Sequence, residues 1–419
     1  MRRQLTSSAF CCLFAFCFTL VVITRRSTAD ITGTNLQKLT ATYQQALLKQ
    51  VVPFWLDHGP DTTHGGYFDW LTPTGAVVDG DKYVARQAQQ AYAFAWLYNT
   101  VDAQPRWLDH ARLGVTFLSQ FAHGDRLHCY EQLDRVGHPV ELAMTNESDG
   151  YTIMAYGQFY RATKDDEWAM LAKALLTDLL ADLADAQAEA ASTTVPSIRK
   201  TRYLREWVTG LEALLTCRYL LDEDSWKDRM HELVQGIQQL FVDRRTDTVR
   251  PCVLSDGGYI NTPEGRRLDV GLTLRLVNCL LTYCELVPNR RLAQQAAGWC
   301  LYTCEQSWNE TAGGLRNYVD QKLQSTTEPD GYYWNWIMGE ALSALCKSYV
   351  HTRHNDCMKW FQRVHDYAFA VFPDSTNAGW HIAVDAQRQP AWPLKASPIV
   401  NCYAVVQQLA VVLKTIQKL

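Results

Sequence analysis

Six clusters of charged and amide residues recur along this 419-residue chain, each at the head of a mostly apolar run. They are Arg86 with Gln89; Glu147, Ser148 and Asp149; Arg205 and Glu206; Arg266, Arg267 and Asp269; Asp330, Tyr333 and Asn335; and Lys395, Ser397 and Asn401. Trp334, Trp336, Trp380 and Trp392 fall in the same zones. Carboxylates, guanidinium groups and amides can hydrogen-bond a polyhydroxylated ligand and trade protons with it, and indoles cover the apolar face of a sugar ring. Polar groups at the mouth of a buried helix need partners, and a pocket holding water or a polar ligand supplies them. Any one of these residues could do no more than cap its helix; six clusters together point to a shared cavity. Among the eleven histidines, His381 on the last hairpin is a site candidate and His128 a weaker one. His64 reads as structural. His58, His110, His231, His351, His354 and His365 fall in segments read as outer helices or loops and are expected to be solvated.

The elements that must position these groups repeat. Residues 64–99 open as a hairpin: Gly65-Gly66, an aromatic-rich strand, and a turn at residues 72–75. A helix follows, with Asp79 or Asp81 expected as its N-cap. From Val84 its apolar or small residues cover every face, the mark of a buried helix. The hairpin signal returns at Asp256-Gly257-Gly258-Tyr259, Gly313-Gly314-Leu315 and Ala378-Gly379-Trp380. A copy without glycines lies at residues 127–134, and the spacing, about 60 residues, leaves room for one more near residues 195–203. Buried helices starting near Tyr83, Tyr151, Trp207, Val270, Trp336 and Asn401 alternate with amphipathic ones. Six buried and six amphipathic helices predict an all-α toroid, an (α/α)6 barrel with short β-hairpins between helix pairs.

The composition, 47% apolar and 20% charged with a formal net charge of −4, is that of a globular chain and gives nucleic acid nothing to bind. Arg2-Arg3 and the apolar residues 9–23 read as a secretory signal. Ser27-Thr28-Ala29 offers a cleavage site before Asp30, while Arg25-Arg26 leave a signal anchor open. The expected division is a targeting segment, residues 1–29, and one barrel domain, residues 30–419, in the secretory pathway or outside the cell. A membrane is expected as a partner only through that segment. Two sequons, at Asn146 and Asn309, fit that route. Ten of the thirteen cysteines lie beyond the targeting segment, mostly in apolar helical patterns, and read as buried hydrophobes with room for a disulfide or two. Nothing has the spacing of a nicotinamide, phosphate or metal site, so no cofactor is expected. The expected partners are a small-molecule carbohydrate and, in a homodimer, a second copy of the chain.

Residues 64–68, Asp81 through Gln87, and Leu97-Tyr98-Asn99 resemble the N-acylglucosamine 2-epimerase family, which includes mannose isomerases, sulfoquinovose isomerases and cellobiose 2-epimerases. Gly137-His138-Pro139, Tyr160 to Thr163, Leu211-Glu212-Ala213, Gly313-Gly314-Leu315, Trp336 with Glu340-Ala341, and Pro398 with Cys402-Tyr403 follow in the family's order. The resemblance covers about residues 40–415 and implies an (α/α)6 barrel that epimerises or isomerises sugars beside a carbonyl. Such chemistry needs an acid and a base near working pH, which histidine supplies. The family's Gly-His-x-Leu-Glu step is matched by residues 271–275, where Leu272 stands for the histidine and Arg275 for the glutamate. The C-terminal Pro-aromatic step, matched at residues 398–404, contains no histidine. Asp149 matches a family histidine or glutamate, Gln89 a sugar-contacting arginine with Arg86 one turn away, and Asn335 one of two paired tryptophans. The residues expected to replace the acid and base are Asp149, Glu212, Glu340 and His381. Those expected to hold the sugar are Arg86, Gln89, Trp336, Asn335, Arg275 and Asn401. Three functions stay open: an isomerase or epimerase with altered acid/base residues, a sugar-binding pseudoenzyme, and a glycoside hydrolase using two carboxylates.

Overall fold

The computed structural model describes residues 33–124, 127–192, 201–322 and 331–419. Residues 1–29, expected to be the targeting segment, Asp330, and residues 193–200, where part of one hairpin copy was expected, lie outside them. Six inner helices are α3 (Val84–Thr100), α5 (Glu147–Thr163), α7 (Leu204–Thr216), α10 (Val270–Leu286), α12 (Asn335–Thr352) and α14 (Tyr403–Ile416). Each touches the next, and α14 returns to α3, closing the ring. The outer ring is α1 (Gly33–Gln45) continued through a π-helical segment (Ala46–Val51) into α2 (Val52–His58), then α4 (Pro105–Phe121), α6 (Asp166–Ser192), α8 (Glu223–Leu240), α11 (Arg290–Ser307) and α13 (Asn355–Val371). The inner helices are nearly enclosed: on α3 alone, Ala88, Ala91, Ala93, Phe94 and Ala95 are fully buried, spanning all faces. Small residues there let neighbouring helices approach. This is the (α/α)6 barrel the sequence predicts.

Short strands form a collar where the inner helices begin. β3 (Lys82–Tyr83), β6 (Thr201–Tyr203), β10 (Arg267–Asp269) and β12 (Tyr333–Trp334) each lead into an inner helix. They pair antiparallel with β4 (Tyr130–Leu133), β9 (Cys252–Leu254), β11 (Tyr318–Asp320) and β13 (Ala383–Val384) of the next unit. A bridge from Leu71 to Ala396 joins the first unit to the last. The α3 helix starts from Tyr83 in extended conformation with no side-chain cap, so Asp79 and Asp81 are not its N-cap. The collar strand feeds the helix directly, and both aspartates stay in the hairpin.

After four outer helices the chain makes one closed turn, bridged at Pro60–Tyr67, Val242–Val249, Trp308–Leu315 and Pro373–Trp380. The backbone carbonyls of Asp61, Asp243 and Asn309 accept the N–H four residues on, from Gly65, Asp247 and Gly313. Those three residues, and Ala378 at the matching place in the last turn, take left-handed φ values of 78°, 51°, 75° and 61°. The Asx side chain caps the turn from inside, a local bond that Asp and Asn favour. The fourth repeat therefore lies at Val242–Val249, not at Asp256-Gly257-Gly258-Tyr259. Gly257 serves the separate turn after β9, and Asp247 holds the left-handed position without glycine. Under the first turn, Lys82 is fully buried and donates to Asp61, to the Gly65 carbonyl and to the Arg135 carbonyl. Lys395 and Asp374 repeat the pair under the last turn at 2.6 Å.

His110 is not solvated. It is buried between Tyr67 and Phe94 and bonds the Gln90 amide at 2.9 Å. Burial, reinforced by Arg106, lowers its imidazole to about 3. The ten cysteines of the described residues are all buried thiols, none in a disulfide.

Candidate active site

At the collar end of the barrel, Arg86 on the first turn of α3 reaches across to α5. Its Nη2 donates to Glu147 Oε1 at 2.6 Å and its Nη1 to Gln89 Oε1 at 2.7 Å. Burial alone would raise the Glu147 carboxyl; Arg86, with Arg275 and Arg205 behind it, holds it below its ordinary range. Glu131 of the second hairpin goes the other way, raised by burial and by the charge of Glu147. Asn401 donates to the Arg86 carbonyl at 2.7 Å and accepts from the Tyr403 N–H. Asn335 donates to the His381 carbonyl at 2.9 Å, and its own oxygen is buried without a partner among the described residues. Trp336 lies against Gly271, where a Cβ would sit 2.0 Å from the indole. Asp149 turns away from the axis, accepting from the Cys129 N–H at 2.7 Å and meeting His128 Nδ1 at 2.9 Å. His381 faces Asp374 at 4.0 Å, beside Lys395. Apart from Arg275, none of these side chains lines the cavity between the inner helices.

That cavity, about 900 Å³, runs from the mid-height of the inner helices to their C-terminal ends. Its upper wall contains Glu212, Arg275 and Glu340, with Tyr92 and Tyr403. Arg275 donates through Nε, at 2.8 Å, and through Nη2 to Glu212 Oε2, while the Tyr403 hydroxyl donates to Glu212 Oε1 at 2.9 Å. Arg275 also stands 5.2 Å over the Tyr151 ring. Glu340 is 5% exposed. Asn278 Nδ2 donates to its Oε2 and Gln408 Nε2 to its Oε1, each at 2.7 Å. Burial pushes the Glu340 carboxyl up to about 7, against the pull of Arg275 and with the push of Glu212. A carboxyl poised there can both take and return a proton at neutral pH.

Of the four acid/base candidates, the fold thus brings Glu212 and Glu340 into one cavity, joined by Arg275 from the ligand-binding set. It places Asp149 and His381 in the collar. Asn278, Gln408 and Lys347 were missed. Lys347 bonds Thr282 Oγ1 at 2.9 Å and the Asn278 carbonyl at 3.4 Å. A signal was present for two of them: Asn278 is the single polar residue in the run Leu276 to Leu281, and Gln408 belongs to the Gln407-Gln408 pair inside the run Val405 to Val412, where burial without a partner costs about 2–7 kcal/mol; Lys347, followed by Ser348, gave none. Among the described residues no group of three or more His, Cys, Asp or Glu is placed to hold a metal ion.

The family model for N-acylglucosamine 2-epimerase (GlcNAc 2-epimerase) matches residues 66–403. The N-acylglucosamine 2-epimerase of Mus musculus is 26% identical over 383 residues, covering 87% of this chain and 88% of the relative. Among solved structures, a cellobiose 2-epimerase from Bacillus thermoamylovorans superposes with a TM-score of 0.79 at 17% identity, covering 90% of this chain and 99% of the other. A D-mannose isomerase superposes with a TM-score of 0.74, also at 17% identity, covering 92% and 99%. The match runs from the first hairpin's Gly66 to Tyr403 at the start of the last inner helix, and the chain belongs to the N-acylglucosamine 2-epimerase family.

Proposed function

We propose that this protein moves a proton at the carbon beside a sugar carbonyl, with Glu340 as the proton carrier in place of histidine. The observation that carries the reading is the Glu340 carboxyl, buried, raised to about 7, and on the cavity wall. Ionised Glu340 takes the proton from C2. The C–H electron pair becomes the C1–C2 double bond of an enediolate as the carbonyl π pair moves to O1. Return of the proton to C1, with the hydroxyl proton passing from O2 to O1, gives the ketose. Return to the opposite face of C2 gives the epimer. A single carboxyl can perform the first transfer on one face, whereas the second needs a donor across the ring. Glu212 is committed to Arg275 and Tyr403, so aldose–ketose isomerisation is the reaction this wall supports best. The names of the relatives, an N-acylglucosamine 2-epimerase and a D-mannose isomerase, both fit removal of the proton at C2.

The test is incubation in D2O with aldoses, N-acyl hexosamines and β-1,4 disaccharides, read by deuterium at C2 and by ketose formation. Label with wild type and its loss in Glu340→Gln are expected; no label from any sugar overturns the reading. Sugar binding without label would instead favour a pseudoenzyme. A second reading, hydrolysis with Glu340 as acid and Glu212 as its carboxylate partner, draws on the two carboxyl groups sharing one wall and predicts release of a free sugar from a disaccharide. Residues 1–29 would carry the chain into the secretory pathway, either cleaved or retained as an anchor; the N-terminal sequence of the protein recovered from cells distinguishes the two.

A further inference from the structure

Below Glu340 the cavity wall carries a stripe of polar residues that the proposed proton transfer leaves unused. On α12, Glu340, Ser343 and Lys347 follow one another at steps of three and four. On α10, Asn278, Thr282 and Glu285 do the same, so each set shares one helix face on the cavity. Hydrogen bonds run down the wall. Asn278 Nδ2 donates to Glu340 Oε2, and Ser343 Oγ donates to Asn278 Oδ1 at 2.8 Å. Thr282 Oγ1 donates to the Asn278 carbonyl at 2.7 Å and accepts from Lys347 Nζ at 2.9 Å. Past Lys347, Lys418 donates to Glu285 Oε2 at 2.7 Å, and there the wall meets solvent: the Glu285 side chain is 27% exposed and that of Lys418 51%. Lys347 is largely enclosed and spends its donors on a hydroxyl and a carbonyl. Burial lowers its ammonium below the ordinary range, against the pull of Glu285 and of Glu340, with Cys279 and Lys418 the other titratable groups facing it. An apolar side chain would join α10 to α12 without that desolvation, so packing alone does not explain a lysine here.

We propose that this stripe is a proton-exchange path, with Lys347 as its relay, through which the Glu340 carboxyl equilibrates with bulk water. The proposal rests on Glu340 as the proton carrier of the reaction. Seven residues separate Glu340 from Lys347, about 10 Å of helix rise, so water bridges the two. A cavity of about 900 Å³ has room for it, at about 30 Å³ per water molecule. The Lys347 ammonium gives a proton to a bridging water as that water gives one to the ionised Glu340 carboxylate. The amine left behind takes a proton from water on its Glu285 side, and one proton has moved from bulk to Glu340. The same steps reversed carry off the proton that Glu340 removed from the sugar. Without the path that proton stays on Glu340 until it returns to the same sugar; with it, a solvent proton takes its place.

Stopped-flow infrared spectroscopy of the full-length protein mixed into D2O at pH 6 tests this without a substrate. The band to follow is the protonated-carboxyl C=O stretch missing from Glu340→Gln, which separates it from that of Asp69, also raised to about 7. Lys347→Met should slow the replacement of that proton by deuterium about tenfold or more, a modest part of what a positioned proton carrier contributes, and keep the wild-type helical circular dichroism spectrum. Thr282→Val, which removes only the hydroxyl holding Lys347, is the milder second variant and should slow the exchange in the same direction. Arg161→Gln, on the cavity rim but off the stripe, should leave it unchanged. Wild-type rates in both stripe variants, or equal slowing in Arg161→Gln, overturn the path. Turnover of glucose and mannose deuterated at C2, in ordinary water, ties it to the reaction. Ketose from wild type should carry little deuterium at C1, and Lys347→Met should raise the ratio of retained to lost label about tenfold or more. Turnover in which label retention and infrared rate both ignore Lys347 would keep the reaction and sink the path. Slowed infrared exchange with no turnover of either sugar would keep the path and sink the reaction.

Discussion

The Glu340 carboxyl makes a prediction that needs no substrate. Its ordinary value is 4.5 and burial carries it to about 7 in the folded protein. Between those two pH values the native state holds a proton that the unfolded chain has released. Stability therefore falls as pH rises through this window, and is lowest, for this group, above pH 7. At 1.36 kcal/mol for each pH unit, the loss is on the order of 3 kcal/mol. Glu340→Gln keeps the shape and removes the titration. The new amide meets the Asn278 and Gln408 amides, one of which must flip; that cost, on the order of 1 kcal/mol, does not depend on pH. Asp69, buried and raised to about 7 against the Gln87 amide and the Tyr83 N–H, titrates in the same direction but is common to both proteins and cancels. Urea unfolding of wild type and Glu340→Gln at pH 4.5, 6 and 8 gives the double difference. Wild type should lose about 3 kcal/mol relative to the variant between the first and last points. Parallel pH profiles would refute the reasoning, because they would mean that Glu340 is ionised and solvated in the folded protein. The same carboxyl then could not be the group whose apparent pKa, near 7, should bound the pH–rate profile of sugar isomerisation.

Three further outcomes follow from the geometry. Gly271→Ala places a Cβ against the Trp336 indole and should destabilise the protein by about 1–3 kcal/mol in thermal or urea unfolding; no change would show that the indole is free to move. Lys82→Met removes the cation between Asp61 and two carbonyls and should cost about 3–5 kcal/mol; a cost under 1 kcal/mol would show Arg135 sufficing alone. His110, lowered from 6.5 to about 3, is neutral in the folded state and binds fewer protons there than when unfolded. Stability should fall as pH drops through that window, and His110→Gln should flatten the acid limb of the urea-midpoint profile.

Much of the scaffold was legible because it is written in local pattern. Helices apolar on every face must be enclosed, and six alternating with six amphipathic ones leave little but a double ring. The turn that follows four of the outer helices is also local, a side chain capping its own backbone with a left-handed residue four positions on. One copy was misplaced because Asp247 takes that conformation without being glycine, while the more visible Gly257-Gly258 pair belongs to another turn. His110 was misread for a related reason: an outer helix has a buried face, and one imidazole does not reveal on which side it lies.

The sequence by itself determined the ring, the family and the inventory of polar groups that burial obliges to find partners. Only the tertiary structure decided which of them meet. A helix buried on all sides carries no periodicity from which to read its rotation about its axis, so Asp149 and Glu340 look alike in the chain. One turns outward to His128, the other toward the cavity. Burial raises the Glu340 carboxyl, and the Asn278 and Gln408 amides that bond it inside the barrel come from 62 and 68 residues away on other helices. A proton affinity set by burial is a property of the closed barrel, since it arises only when distant segments exclude water together.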